Sequence, residues 1–169
     1  MCLGNHKGTT YAGYGILLEF PDGTRQEFCD SCGTNCSNYE AEAAAIKTAT
    51  ELIHQKLELQ EIEPANLIIF SDSLSVLDAL KSMSFENTEI RKTAQALHNL
   101  IVAYQIQIIL QCIPGHCGLP GNESADRLAK AGASQPQKDR PCSHLTLVSI
   151  LRNNSREEWL NRWATGLTG

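Results

Sequence analysis

The chain has 169 residues, of which 42% are hydrophobic and 20% charged, a balance typical of one globular domain with a short appendage. Seven cysteines, no apolar leader segment and no apolar run of about 18 residues argue against secretion, a membrane span and a disulfide scaffold, so we expect a reduced, intracellular protein of the cytoplasm or nucleus. The net charge of -5 counts against a nucleic-acid binder without excluding one, because such binding depends on a local basic patch.

A hairpin followed by a helix is the first predicted unit. Residues 11–20 are rich in β-formers, Pro21-Asp22-Gly23 predicts a turn, and residues 24–28 predict the second strand. A loop is expected over residues 30–36, after which Ser37 or Asn38 can cap a helix. Its predicted inward stripe is Ala41, Ala45, Thr48 and Leu52.

Strands and helices alternate in the next part of the chain. Residues 67–70 form an apolar run, which predicts a strand buried on both faces, and a helix follows through Leu80. Asp72 therefore lies at the carboxyl end of a strand, where open α/β sheets place their ligands. Asn87 or Thr88 can cap a further helix, whose predicted inward stripe is Ile90, Ala94, Leu97, Ile101 and Tyr104.

A strand, a loop and two helices complete the prediction. Residues 106–113 form the strand and residues 114–121 the loop, and Asn122 is expected to cap a helix that leaves Asp126 exposed on its first turns. We divide the chain into a domain over residues 1–133, a polar linker over 134–144 and a helical tail over 145–169. The tail pairs Trp159 with Trp163 at helical spacing and is expected to dock on the domain or on a protein partner.

Three carboxylates are candidates for a metal site. Glu42 and Asp126 lie near helix starts and Asp72 follows a strand, so they could converge, and hard cations such as Mg²⁺ bind through carboxylates. Two such ions about 4 Å apart catalyse phosphodiester displacement. Each carboxylate alone also fits an ordinary role, as an exposed helix residue, an N-cap or a first-turn acid. His116, in the glycine-rich loop, can shuttle protons or be merely exposed.

Two other groups of residues carry weaker hypotheses. Cys29, Cys32 and Cys36 are spaced somewhat like zinc ligands, but a fourth ligand would have to be Cys112 or Cys117, and ordinary thiols are the interpretation we favour. Five basic residues could form a patch that binds nucleic acid, or could simply lie on solvated helix faces. They are Lys81, Arg91, Lys92, Arg127 and Lys130.

The order of elements, with the stretches LIIFSDS at residues 67–73 and IPGHCGLPGNESADRLAK at residues 113–130, resembles a type 1 ribonuclease H domain. Those of non-LTR retrotransposon polyproteins are the most similar, over roughly residues 3–133. The resemblance implies an α/β fold, a mixed sheet flanked by helices with an antiparallel meander and right-handed parallel crossovers. It also implies hydrolysis of the RNA strand of RNA–DNA hybrids with two Mg²⁺ or Mn²⁺ ions.

By this resemblance Glu42, Asp72 and Asp126 match the family's metal-binding carboxylates, and His116 matches its loop histidine. Glu40 is a rival for the helix position, but the apolar residues 43–46 that follow Glu42 keep the family's spacing. Two polar residues, a looser match, fall where the family places groups near the hybrid, and these are Asn38 and Asn122.

The family's opening strand is the main departure. That strand ends in Asp-Gly-Ser/Thr, its aspartate bridges both metals, and Met1 stands at or beside the Ser/Thr position. The first, central strand would lie between residues 11–20 and residues 67–70, so we expect a cleft there or an abnormal direct pairing. The alternative function is an inactive ribonuclease H fragment that only binds nucleic acid or protein, and an acidic binding module without nucleic acid ranks third.

Overall fold

The computed structural model describes residues 3–6, 9–83, 86–139 and 143–166. Met1, which the resemblance aligns with the Ser/Thr position, lies outside them, as do residues 140–142 of the predicted linker. The order of elements is β1 Leu3–His6, β2 Thr9–Glu19, β3 Arg25–Thr34, α1 Asn38–Glu58, β4 Leu67–Ser71, α2 Leu74–Lys81, α3 Thr88–Tyr104, β5 Ile108–Cys112, α4 Pro120–Ala133 and α5 His144–Ala164. The predicted α/β class, with sheets flanked by helices, is confirmed.

The hairpin forms an antiparallel sheet of three strands in the order β1-β2-β3. Its β2–β3 ladder runs from Glu19 opposite Arg25 to Tyr11 opposite Thr34. The predicted loop over residues 30–36 is therefore largely wrong, because residues 30–34 continue the ladder and β3 ends only at Thr34. The residues of this stretch are polar or small and most have low β propensity, so the sequence does not predict a strand there. The strand forms because it pairs with β2.

Two glycines of β2 let α4 pack directly on this sheet. A Cβ atom added to Gly13 would lie 2.0 Å from Ala133 N, and one added to Gly15 would lie 2.3 Å from Ala125 O. No residue with a side chain fits between these backbones, so glycine is required at both positions. The close approach fixes α4, and with it Asp126, against the hairpin sheet.

The second sheet contains β4 and β5, which are parallel, with Leu67 opposite Ile108. Among the described residues no strand joins the two sheets, and direct pairing of β2 with β4 is not seen. The prediction that β4 is buried on both faces is wrong, since Ile68 is 55% and Phe70 60% exposed. One face only is covered, where Ile69 packs against the core formed by α1, α2 and α3.

Helix α1 is buried on more than one side. Ser37 provides the N-cap, one of the two predicted caps, and the helix contacts β2, α2 and α3. Of the predicted stripe only Ala41 is fully buried, because the helix lies between the hairpin sheet and α3 and is covered from both directions. Its buried residues are Glu40, Ala41, Ala43, Ala44, Ile46, Thr50, Ile53 and Leu57.

Helix α3 starts at a predicted cap. The set of residues that it turns toward the core is slightly rotated relative to the predicted inward stripe. The side chain of Asn87 accepts hydrogen bonds from the backbone N–H groups of Glu89 and Ile90. Ile101 is partly exposed and Leu100 is fully buried, so the predicted stripe is wrong at that position. A helix with 3.6 residues per turn drifts relative to any short repeat, and the packing partner decides which neighbour turns inward.

The segment after α4 lies against β3. Gly33 N donates to Gln137 Oε1 at 3.1 Å, and Lys138 forms an ion pair with Asp30. The polar segment is therefore anchored at several points, while the division into domain, linker and tail stays a prediction. Helix α5 is exposed from Leu151 to its end at Ala164, with Trp159 stacked on Trp163. Within the described residues, none of the helices combines the length and the hydrophobicity of a membrane span.

Candidate active site

The start of α1 separates the roles of its two candidate glutamates. Glu40 closes a capping box, in which its Oε2 accepts from Ser37 N at 3.0 Å while Ser37 Oγ accepts from Glu40 N at 3.2 Å. The same Oε2 accepts from Thr146 Oγ1 at 2.8 Å. Glu40 is thus a buried structural carboxylate. Of the two candidates for the site, Glu42 is the one that remains.

Hydrogen bonding also determines the ionisation of Glu40. Burial alone would raise the pKa of its carboxyl group, but hydrogen bonds from Ser37, Ser143 and Thr146 outweigh it and the pKa is lowered. Glu40 is therefore held as a carboxylate by the two helix starts that it joins.

Glu42 and Asp72 line one open pocket at the carboxyl end of β4. Asn38, at the first turn of α1, lies in the same pocket, together with three residues that the sequence analysis did not single out, Tyr39, Ser73 and Ser75. Ser73 could have been anticipated, because it lies two residues after the end of β4, whereas Ser75 lies in the first turn of α2. The pocket therefore joins the start of α1 to the β4–α2 turn.

Asp126 reaches the site from α4. The prediction that it is exposed is wrong, since it is 7% exposed and is buried together with Leu128, Ala129 and Gly132 of the same helix. The reason is the helix start: Leu119 is the N-cap and Pro120 the first helical residue, so Asp126 lies in the second turn, on the packed side.

Asn122 is not the predicted cap of α4 but contacts the site. Its Nδ2 donates to Asp72 Oδ2 at 3.5 Å. Gly115, in the loop before α4, lies above the same carboxylate, because a Cβ there would be 3.0 Å from Asp72 Oδ2. The loop and the first turn of α4 therefore cover Asp72.

His116 lies in this loop with a left-handed backbone, φ 53°. Its Nδ1 is 3.2 Å from Asp126 Oδ2, and the side chain is 78% exposed. The imidazole is therefore held to the site at one nitrogen and open to solvent at the rest of the ring.

The electrostatics show that the three carboxylates share one region. Burial, and then the negative charges of Asp72 and Asp126, raise the pKa of Glu42 to about 7. Burial also acts to raise the pKa of Asp126, but hydrogen bonding and positive charge around it outweigh burial, so the pKa is lowered. Convergent negative charge of this kind favours a bound cation.

The donors fit a hard divalent cation in chemistry, since carboxylate oxygens are the ligands that Mg²⁺ prefers. Their spacing is wider than that of a closed site. In the part of the chain that the structure describes, no three His, Cys, Asp or Glu side chains are grouped closely enough to hold an ion. The carboxylates therefore surround the cleft without meeting.

The candidate basic patch is partly engaged elsewhere. Arg127 forms an ion pair with Glu27 on β3, and Lys92 pairs with Glu89 within α3. The Arg127–Glu27 pair is on the surface, where such a contact contributes little to stability, whereas Lys92 pairs with a glutamate that is itself buried. The structure therefore gathers no continuous basic surface from these two residues.

Comparison with known proteins identifies the family and the fold. A family model described as RNase H matches residues 1–134. Residues of RNase H1 from the halophilic archaeon Halobacterium salinarum NRC-1 superpose with a TM-score of 0.56 at 20% identity, covering 77% of this chain and 91% of that chain. The N-terminal RNase H domain of a Mycobacterium tuberculosis protein was solved as a fusion with maltose-binding protein. It superposes with a TM-score of 0.56 at 19% identity, covering 78% of this chain and 88% of that chain.

A third structure, LC11-RNase H1 in complex with an RNA/DNA hybrid, gives a TM-score of 0.57 at 13% identity and covers 78% of this chain and 95% of that chain. No curated protein sequence matches. At these identities the structural likeness shows the fold.

Proposed function

Because the chain belongs to the RNase H family, we propose that it hydrolyses the RNA strand of RNA–DNA hybrids. It is a hydrolase domain of the ribonuclease H type. The observation that carries the proposal is that Glu42 and Asp72, from α1 and the end of β4, line one pocket, while Asp126 of α4 is near enough to raise the pKa of Glu42. The hybrid in the complex of LC11-RNase H1 supports the choice of substrate.

The three carboxylates would hold Mg²⁺ or Mn²⁺ in this proposal, as two ions. When bound, such ions activate the attacking water and stabilise the leaving oxygen of the phosphodiester. Glu42 gains most from a cation, because its carboxylate form is disfavoured by burial and by the charges of Asp72 and Asp126. His116 assists proton transfer or product release: Nδ1 is held by Asp126, and the exposed ring leaves Nε2 able to exchange a proton.

Two asparagines are proposed to contact the hybrid. Asn38 lines the pocket beside Glu42, and Asn122 is close to Asp72, so both amides flank the carboxylates. Amide groups hydrogen-bond to 2′-hydroxyls and phosphates, which are the features by which A-form-like duplexes are recognised. We therefore expect cleavage with little sequence preference.

The family's opening strand is part of the proposal. A strand ending in Asp-Gly-Ser/Thr, placed before Cys2, would lie between β2 and β4 and add an aspartate to the cleft. This addition agrees with two observations, the absence of a strand between the two sheets among the described residues and the open spacing of the three carboxylates. The likeness to retrotransposon domains belongs to the same proposal and rests on the sequence motifs alone.

A second candidate function is binding of hybrid without cleavage. It is favoured by the spacing of the carboxylates, since no described group of three is close enough to hold an ion. A module of this kind would keep the cleft and the asparagines but not turn substrate over. The exposed part of α5, with Trp159 and Trp163, would be its surface for a protein partner.

A cleavage assay separates the two functions. Labelled RNA–DNA hybrid in Mg²⁺ is incubated with the chain as it stands and with the chain carrying a strand that ends in Asp-Gly-Ser before Cys2. We expect weak cleavage by the first and strong cleavage of the RNA strand by the second, since one preorganised electrostatic group contributes about 10²–10³ in rate. Hybrid binding without cleavage by both chains would favour the binding module.

The assay has a matched pair of variants in the extended chain. Asp72→Asn should lower the cleavage rate by about 10²–10³, whereas Asp78→Asn, an exposed aspartate of α2, should leave it unchanged. Equal cleavage by the two variants would show that the nuclease activity does not arise at this cleft.

A further inference from the structure

Two thiols at the junction of β3 and α1 lie very close together. Cys32 is near the end of β3 and Cys36 directly precedes Ser37, the N-cap of α1. The Cys36 thiol donates to Cys32 Sγ, and the two sulfur atoms are 2.7 Å apart. A small movement would bring them to the bonding distance of a disulfide, about 2.05 Å.

The backbone between the thiols holds them in this arrangement. Gly33 and Asn35 both have left-handed backbones, with φ of 90° and 60°, so the chain reverses direction within the few residues that separate the sulfurs. The turn therefore brings the two cysteines to the same side of the junction, where their sulfur atoms meet.

The pair is also enclosed. Cys32 is 5% and Cys36 3% exposed, and both pack in a cluster with Ala12, Ala41 and Ala44. Enclosure of this kind keeps large reagents away, and the two sulfur atoms are in contact with each other. High effective concentration of one reacting group at another accelerates intramolecular reactions.

We propose that Cys32 and Cys36 form a redox-sensitive pair that a hydroperoxide converts reversibly to an intramolecular disulfide. One thiolate attacks a peroxide oxygen of hydrogen peroxide, the O–O bond breaks, and a sulfenic acid and one water form. The second sulfur attacks the sulfenic sulfur, the S–S bond forms, the S–O bond breaks and a second water leaves. Two electrons pass from the sulfurs to the peroxide, and the two thiol protons leave in the waters.

The modification would act on the start of α1. The cross-link ties the end of β3 to the residue before Ser37, whose capping box with Glu40 begins the helix that carries Glu42. The pair is separate from the carboxylate cleft, so the proposal stands independently of the nuclease function.

Peptide mapping of the full chain tests the proposal. The folded protein is treated with hydrogen peroxide, its remaining thiols are alkylated in denaturant, and it is cleaved before aspartate. The peptide of residues 30–71 contains Cys32 and Cys36 and no other cysteine, while the peptide of residues 78–125 contains Cys112 and Cys117 as an internal comparison. We expect the first peptide to lose both alkylation sites and two hydrogens, and the second to remain alkylated.

Reduction and substitution complete the test. Dithiothreitol should restore double alkylation of residues 30–71, and Cys29→Ser should oxidise like the wild type, whereas Cys32→Ser and Cys36→Ser should not form the disulfide. Double alkylation of residues 30–71 at a peroxide dose that oxidises Cys117 would overturn the proposal. So would irreversible oxidation of the pair to sulfinic acids. The wild-type mapping gives its answer even if a serine variant fails to fold.

Discussion

Neighbouring carboxylates on α1 differ because of what surrounds them. Hydrogen bonds from Ser37 and Thr146 lower the pKa of Glu40 despite its burial. Burial, and then the charges of Asp72 and Asp126, raise the pKa of Glu42. Hydrogen bonds favour the charged form and nearby like charges oppose it. These surroundings give Glu40 a structural role and support the proposal that Glu42 acts in the site.

The raised pKa of Glu42 predicts a dependence of stability on pH in the absence of metal. The folded-state pKa is about 7 and the ordinary value 4.5, so the protonated form stabilises the fold at pH below 4.5 and this contribution is lost as pH rises through 7. In a chelator at pH 8, Glu42→Gln should increase the free energy of unfolding by about 2 kcal/mol, after allowance for solvent screening.

Urea unfolding at pH 5 and pH 8 measures this effect. Glu51→Gln, on an exposed position of the same helix, is the control and should retain the pH dependence of the wild type. If the free energy of unfolding changed with pH in the same way for the wild type and for Glu42→Gln, the described interaction of the three carboxylates would be contradicted.

Sequence reasoning worked at the residue scale where a role is local. Ser37 and Asn87 were predicted as alternatives for the caps, because a side-chain oxygen before a helix satisfies backbone N–H groups within three residues. The burial of Asp126 could not be predicted in the same way. It depends on where α4 meets β2, and that contact joins residues far apart in the sequence.

Among the elements, α4 is the one whose position depends most on glycine. Gly15→Ala would place a Cβ 2.3 Å from Ala125 O, so α4 must shift away from β2 and carry Asp126 with it. We expect a loss of stability of about 1–3 kcal/mol, as for other overpacked sites, and weaker cleavage by the extended chain. Thermal unfolding and the hybrid assay give the two readouts.

Gly121→Ala is the matched control for this element. Its Cβ would meet only Leu17 Cδ2, at 4.0 Å, and alanine is the better helix former. This variant should be as stable as the wild type or more so. Equal stability of the Gly15 and Gly121 variants would contradict the close packing of α4 on β2.

Elements with a local sequence signal were predicted well, and strands that depend on pairing with a distant strand were predicted less well. The turn residues 21–23 and the helical spacing of apolar residues in α3 are local signals. They were sufficient to predict that a hairpin and a helix form there. β3 was predicted too short because residues 30–34 form a strand only by pairing with β2. β4 was predicted to be buried on both faces because its apolar run does not reveal that one face of its sheet is uncovered.

At the scale of the whole molecule, the two sheets are connected through helices. Within the described residues β4 pairs only with β5, and α1 contacts the hairpin sheet as well as α2 and α3. The backbone groups along the facing edge of β4 are therefore without a ladder partner among these residues. Packing across α1 is the main coupling between the halves.

This arrangement predicts poor cooperativity of unfolding. Hydrogen exchange should show different free energies of opening for the amides of β2 and of β5, and thermal transitions by different probes should not coincide. Adding a strand that ends in Asp-Gly-Ser before Cys2 should merge the transitions. A single sharp two-state transition in the chain as it stands would show that the sheets are already coupled.

Cation binding tests most directly the claim that the three carboxylates form one site. Mn²⁺ is titrated into the chain and into its variants, and free ion is followed by electron paramagnetic resonance. Each of Glu42→Gln, Asp72→Asn and Asp126→Asn should weaken binding by about 10–100-fold or more, since loss of even an outer-shell partner has that effect. Asp78→Asn should bind like the wild type. Unchanged Mn²⁺ affinity in the three site variants would contradict a shared metal site.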